Sequence, residues 1–327
     1  MVAIHDADRG YFYYPLFLGV RFFFGLGEAP LPGSSYKAIA TYYPKRLRGR
    51  MTSIQSTVNT LGPAFASVLA AYFISVFGWR HLFIFLAIPG FVVAFLFYRL
   101  VRDNPKDNPR MSAEALQELE EDEPTVNVTK PKAKMSTIFK NSLVWKAGLV
   151  WFFFDLTFWG FTSWLPSYLM NERNLSLQAT GFYNALPYLV GTVAMLLGGA
   201  MSDRFKEQRR FIFAISILVA AVSLFFIIKV PSIELALVLQ CVTAWFLFLS
   251  QGIFWGIVVD ILPTDQMATG SSVVNCLGSI AGIVSPIFIG KLLDISGGSY
   301  ATTFTYLAIC LVLAGLIVPT LKTQKTI

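Results

Sequence analysis

Of 327 residues, 55% are hydrophobic, 15% aromatic and only 14% charged, where an ordinary soluble domain carries about a quarter charged residues. That balance excludes a soluble catalytic or binding domain and reads as a chain of several membrane spans. The net charge of +7 does not indicate nucleic acid, because the basic residues fall in short connectors between apolar runs.

Apolar runs long enough to cross a bilayer occur near 11–41, 52–77, 81–101, 144–169, 179–201, 210–229, 234–262, 269–293 and 300–321. All nine are expected to be helical, since only helices and closed barrels satisfy the backbone in lipid and the runs lack the alternation of barrel strands. The first run is too long for one straight span, and Pro30 and Pro32 are expected to kink or end it. Inside it stand Arg21 and Glu28, seven residues apart and therefore on nearly one helix face. Charges at membrane depth cost several kcal/mol unless they meet a partner or a wet cavity, which marks the pair as a candidate transport pathway; the alternative is that Arg21 snorkels. Lys37, near the end of the same run, reads as a snorkelling residue.

The connector at about 102–142 is polar, with Asn and Pro first, an acidic stretch capped by Ser112 that suggests one short helix, and then Lys130, Lys132 and Lys134. If Lys45–Arg50 is cytoplasmic, so are roughly 99–146, 204–210, 263–269 and the tail. Nineteen Lys and Arg residues then lie inside and five outside, a strong positive-inside bias. Asn127-Val-Thr129, inside, and Asn174-Leu-Ser176, outside, have the form of glycosylation sequons. Cys241, Cys276 and Cys310 stand singly in apolar runs, with no metal-ligand spacing. His5 and His81 lie in or beside connectors, no serine triad is apparent, and no Gly-x-x-x-x-Gly-Lys-Ser loop occurs, so neither an enzyme nor an ATP-driven pump is expected.

Several motifs then coincide. Arg21-x-x-x-Gly25-x-Gly27 resembles the fourth-helix motif of the major facilitator superfamily, and Gly199-Ala-Met-Ser202-Asp203-Arg204, followed by Arg209-Arg210, resembles its Gly-x-x-x-Asp-Arg cytoplasmic loop between the eighth and ninth helices. Arg21 through Pro30, Gly78-Trp79-Arg80-His81-Leu-Phe83, and Asp103-Asn-Pro105 ahead of Pro109-Arg-Met-Ser112 are similar to the anion:cation symporters, carriers of sugar acids, hexuronates and other carboxylates. Phe161-Thr-Ser-Trp164-Leu-Pro166 and Pro187-Tyr-Leu-Val-Gly191 fit as well.

The resemblance implies an all-α membrane protein of the major facilitator fold, with nine transmembrane helices equivalent to helices 4–12 of twelve and the first three missing. Residues 1–101 would be the remnant of the amino-terminal bundle, 102–142 the central cytoplasmic linker and 143–327 the carboxy-terminal six-helix bundle. It further implies substrate contacts at Arg21, Asn59, Gln251, Trp255 and Asn275. Small polar residues usual beside that tryptophan are absent at 252 and 254, which tilts the pocket toward apolar; packing is the alternative role for Asn59 and the aromatic and amide residues. Glu28 is the expected proton-coupling residue. Asp155, a lone carboxylate halfway along the fourth run and not a usual family feature, is expected to be a second proton or cation site, a partner for a cation on a missing helix, or a structural hydrogen-bonding residue. Asp203 and Arg204 would serve gating at the cytoplasmic loop.

The function so implied is secondary active transport, proton-coupled symport of an organic anion. A drug:proton antiporter, suggested by Leu61-Gly62-Pro63, and a non-transporting truncated remnant are the alternatives. No metal or cofactor is expected, only a proton or sodium gradient. The partners are the bilayer and a small organic anion, the location a cell membrane crossed many times, and the state a monomer.

Overall fold

A computed structural model describes residues 7–28, 31–102, 104–121, 135–263 and 266–321, and among these all regular structure is helical. The first apolar run holds two described helical segments, α1 (Ala7–Glu28) and α2 (Leu31–Tyr42). Pro30 lies outside the described residues, as do His5, the Asn127–Thr129 sequon and Lys130, Lys132 and Lys134. Next come α3 (Lys45–Phe77) and α4 (Trp79–Leu100), separated by Gly78 alone. At φ +80° Gly78 reverses the chain in the left-handed conformation that a side chain resists.

The connector begins with a 3-10 turn at Pro105–Asp107, capped by the Asn104 side chain on the Lys106 amide. The short helix expected after Ser112 is α5 (Ala113–Glu121), and α6 (Met135–Lys140) leads to the remaining six: α7 (Ser142–Asn171), α8 (Leu177–Arg204), α9 (Arg209–Ile227), α10 (Ile233–Ile261), α11 (Met267–Ile295) and α12 (Tyr300–Ile317). Seven described helical segments, within α3, α4 and α8–α12, are long and apolar enough to cross a membrane. The aromatic-rich α1 and α7 coincide with the other two expected spans.

The chain divides into two compact units, residues 1–56 with 90–127 and residues 57–89 with 128–327. In the first, the Tyr42 hydroxyl donates to the Arg102 carbonyl (2.7 Å) and accepts from the Arg102 amide (2.8 Å), while Asn108 Nδ2 donates to the Leu100 carbonyl (3.0 Å). The start of the connector is thereby pinned to the ends of α2 and α4.

In the second unit α7 packs chiefly on α11 and α12, α8 on α10, and α9 on α10 and α12. Lipid is as apolar as leucine, so the hydrophobic effect does not hold such helices together; close contact and buried hydrogen bonds do. Phe154, Phe161, Phe213, Phe254 and Phe304 are fully buried at the centre. Thr157 donates to the Leu307 carbonyl (2.8 Å), Ser285 to the Leu156 carbonyl (2.5 Å), and the Ser223 and Thr243 hydroxyls pair at 2.8 Å. Each such bond contributes on the order of 1 kcal/mol in a membrane. The stretch of α3 from residue 57 lies along α8: the Thr60 and Thr192 hydroxyls meet at 2.7 Å, and bare Gly181 lets α8 approach Ser67 and Ala71.

Arg173, in the α7–α8 connector, closes the opposite end of this unit. Its guanidinium donates to the Tyr168 hydroxyl (2.7 Å) and to the carbonyls of Ile227 (3.0 Å), Val230 (2.8 Å) and Pro231 (3.2 Å), the last carbonyls of α9 and its exit. Bonds from a charged donor contribute about 1.5–3 kcal/mol each when buried and less in solvent, so Arg173→Ala is expected to lower stability by about 2 kcal/mol, read as an earlier thermal melt in mild detergent. Arg173→Lys is expected to recover only part of the loss, because one ammonium does not reproduce the planar fork.

Candidate functional site

In the first unit Arg21 and Glu28 are exposed on α1. Seven residues at ~1.5 Å each put their α-carbons about 10 Å apart, and no ion pair joins them among the described residues. The Arg21 guanidinium rests 5.3 Å from the centroid of Phe17, one turn back. The helix face is therefore shared as the spacing predicts, but the two charges stand separately.

In the second unit the structure brings together two of the expected residues, Asp155 of α7 and Trp255 of α10, around Trp151 and Gly278. Trp151 connects them. Its ring stacks on Phe254 at 4.2 Å and 15° and meets Trp255 edge-on at 5.4 Å; Asp155 follows one turn later on α7. Both Trp151 and Asp155 lie against Gly278 of α11, where an added Cβ would collide with the Asp155 carboxylate and the indole. Asn275 is one turn before Gly278 and exposed, Gln251 one turn before Trp255 and half-buried. Asp155 itself is 6% exposed, with no hydrogen-bond or ion-pair partner among the described residues. Asn59 is exposed on α3, next to the Thr60 that meets α8.

The substitution at 252 has a packing reason. A Cβ on Gly252 would press on the Met195 carbonyl and the Gly199 amide, so this position serves the close approach of α8 and α10 instead of contributing a polar group.

At the far end of α8 Arg204 and Arg209 of the loop motif differ in environment. Arg204 is exposed and rests over the Phe205 ring at 5.6 Å. Arg209 is buried: Nε donates to the Ser202 carbonyl (2.6 Å), and Nη1 donates to the Gly256 carbonyl (3.1 Å) and to Asp260 Oδ1 (2.7 Å). Asp203 reaches the same guanidinium only at 3.9 Å with its side chain 86% exposed, so Asp260 is the stronger partner. Asp260, at the end of α10, was not legible as a partner, since nothing in sequence links it to a loop some fifty residues earlier.

These features, an all-helical bundle of long apolar helices with a buried arginine clasp at one end, define a multi-pass membrane protein. The family model described as Major Facilitator Superfamily matches residues 10–286, and the chain belongs to that superfamily. It is 24% identical over 293 residues to a hexuronate transporter of Bacillus subtilis (strain 168), covering 85% of this chain and 66% of that one. It is 26% identical over 293 residues to a probable galactarate/D-glucarate transporter of Escherichia coli (strain K12), covering 84% and 65%. The chain thus spans about two thirds of the length of the curated relatives it matches. A crystal structure of a D-xylose-proton symporter shares the fold at TM-score 0.68 and 15% identity, over 89% of this chain and 67% of that one. Fold and relatives are those of transporters, not of enzymes.

Proposed function

We propose that the chain belongs to a secondary active transporter that carries an organic anion, such as a sugar acid, together with protons. The observation that supports it most is the likeness, along most of the chain, to carriers named for hexuronate and for galactarate and glucarate. Arg21 supplies the cation that a carboxylate requires, and Asn59, Gln251 and Asn275 supply donors and acceptors for hydroxyls. Trp255, held edge-on by Trp151, offers a ring face to the carbon skeleton. Glu28 and Asp155 carry the coupling protons, because a carboxyl is the group that can take up and release one without a cofactor.

The test is competition of uptake in cells expressing the gene that encodes this chain. Radiolabelled glucarate or galacturonate is expected to enter saturably and to be displaced by unlabelled dicarboxylic or hexuronic acids, but not by the neutral parent sugars. Equal displacement by neutral sugars, or no uptake above the empty host, overturns the assignment.

A further inference from the structure

The α7–α11 interface is a row of aromatic and acidic side chains from α7 laid on bare glycines of α11. Trp151 and Asp155 lie on Gly278, Trp159 on Gly282 with 3.1 Å to the place of a Cβ, and Trp164 near Gly290 at 3.6 Å. Both sequences repeat at one-turn spacing, so two ridges meet along their length. Within this row Asp155 is the only ionisable member. Its carboxyl is 6% exposed, has no partner among the described residues, and is pressed against the backbone of Gly278 beside the Trp151 indole.

An ionised carboxylate in such a place is costly unless water or a cation reaches it. Gly278 and Trp151 close one side of the carboxyl. The neutral acid sits against the glycine without a counter-charge, whereas the anion is drawn away from it toward water or a cation.

We propose that Gly278 is a positioning residue for Asp155: the bare glycine seats the protonated carboxyl flush against α11, and loss of the proton loosens the α7–α11 contact at that level. Proton loading is thereby read out as the closeness of two helices. This rests on Asp155 being a coupling site, and it adds the means by which the proton acts on helix packing. The other titratable groups nearby are few. Tyr306 and Cys310 of α12 pack beside Leu156, Phe152 and Phe153, on the flank of α7 away from Trp151. Cys276 of α11 is exposed, and α10 offers Phe254 and Trp255 here, with no ionisable group until Asp260.

The experiment is amide hydrogen exchange of the chain in lipid nanodiscs across a pH series, without substrate, each rate divided by that of Asp155→Asn at the same pH. Division removes the intrinsic pH dependence of exchange and any effect of Tyr306 or Cys310. For peptides covering 150–158 and 274–282 the ratio is expected to be near one at low pH and to rise with pH. Opening linked to one proton gives up to about tenfold per pH unit. Peptides of α9 are expected to stay near one. Gly278→Ala unseats the carboxyl and is expected to give fast exchange at every pH, with the slope lost. Where that variant does not assemble, the wild-type and Asp155→Asn series decide alone. A ratio flat with pH in α7 and α11 overturns the proposal. Because no transport is measured, a flat ratio with proton-driven uptake intact removes only the seating role, whereas a sloped ratio with uptake indifferent to protons would contradict the symport reading instead.

Discussion

Replacing Arg209 by alanine is expected to destabilise the second unit by about 2–4 kcal/mol, the largest effect of any single substitution at the α8–α9 end. The guanidinium is 8% exposed, so its removal leaves the Ser202 and Gly256 carbonyls and one Asp260 oxygen without their donor. Breaking a fully buried pair costs about 3–5 kcal/mol; the lower figure here follows from the 31% exposure of the Asp260 side chain, which lets water take over part of the solvation. Arg209→Lys keeps the charge but not the fork, and is expected to fall between. Arg204→Ala removes only an exposed side chain over Phe205 and is expected to stay within about 0.5 kcal/mol of wild type. Thermal melts in mild detergent check the series. Equal losses for Arg204→Ala and Arg209→Ala would show that the clasp is not centred on Arg209. Gly256→Ala offers a second check, because a Cβ there would meet the Ser202 hydroxyl and the Arg209 guanidinium.

The class of fold was legible because bilayer crossing imposes a length and a composition on each helix, and each of the nine apolar runs coincides with helical structure. Asp155 stood out because a carboxylate among phenylalanines and tryptophans is costly wherever it ends up. Gly278 did not stand out. Glycines are frequent in membrane helices, and only the approach of α7 shows which one is bare for a reason, although the one-turn spacing of Gly278 and Gly282 against Trp151, Asp155 and Trp159 was present as a signal. The clasp was not legible for a related cause: Asp203, Arg204 and Arg209 are neighbours in sequence, yet the geometry of the α8 end turns Arg204 outward and Arg209 in toward Asp260. Pairings that cross helices are set by rotation about the helix axis, which motif spacing leaves undetermined.

The most direct measurement of proton-coupled anion transport is the pH of a lightly buffered suspension of cells expressing the encoding gene when glucarate or galacturonate is added. Protons entering with the anion are expected to make the medium more alkaline, and an inward gradient of one pH unit supports about tenfold accumulation for each proton carried. Glu28→Gln and Asp155→Asn, close in shape to the protonated acids, are each expected to abolish the alkalinisation and the gradient-driven accumulation while leaving substrate exchange at equal pH. Arg21→Ala is expected to depress both, since it removes the partner of the substrate carboxylate. Saturable uptake that produces no alkalinisation and follows external sodium, or alkalinisation unchanged in both acid variants, would contradict the account.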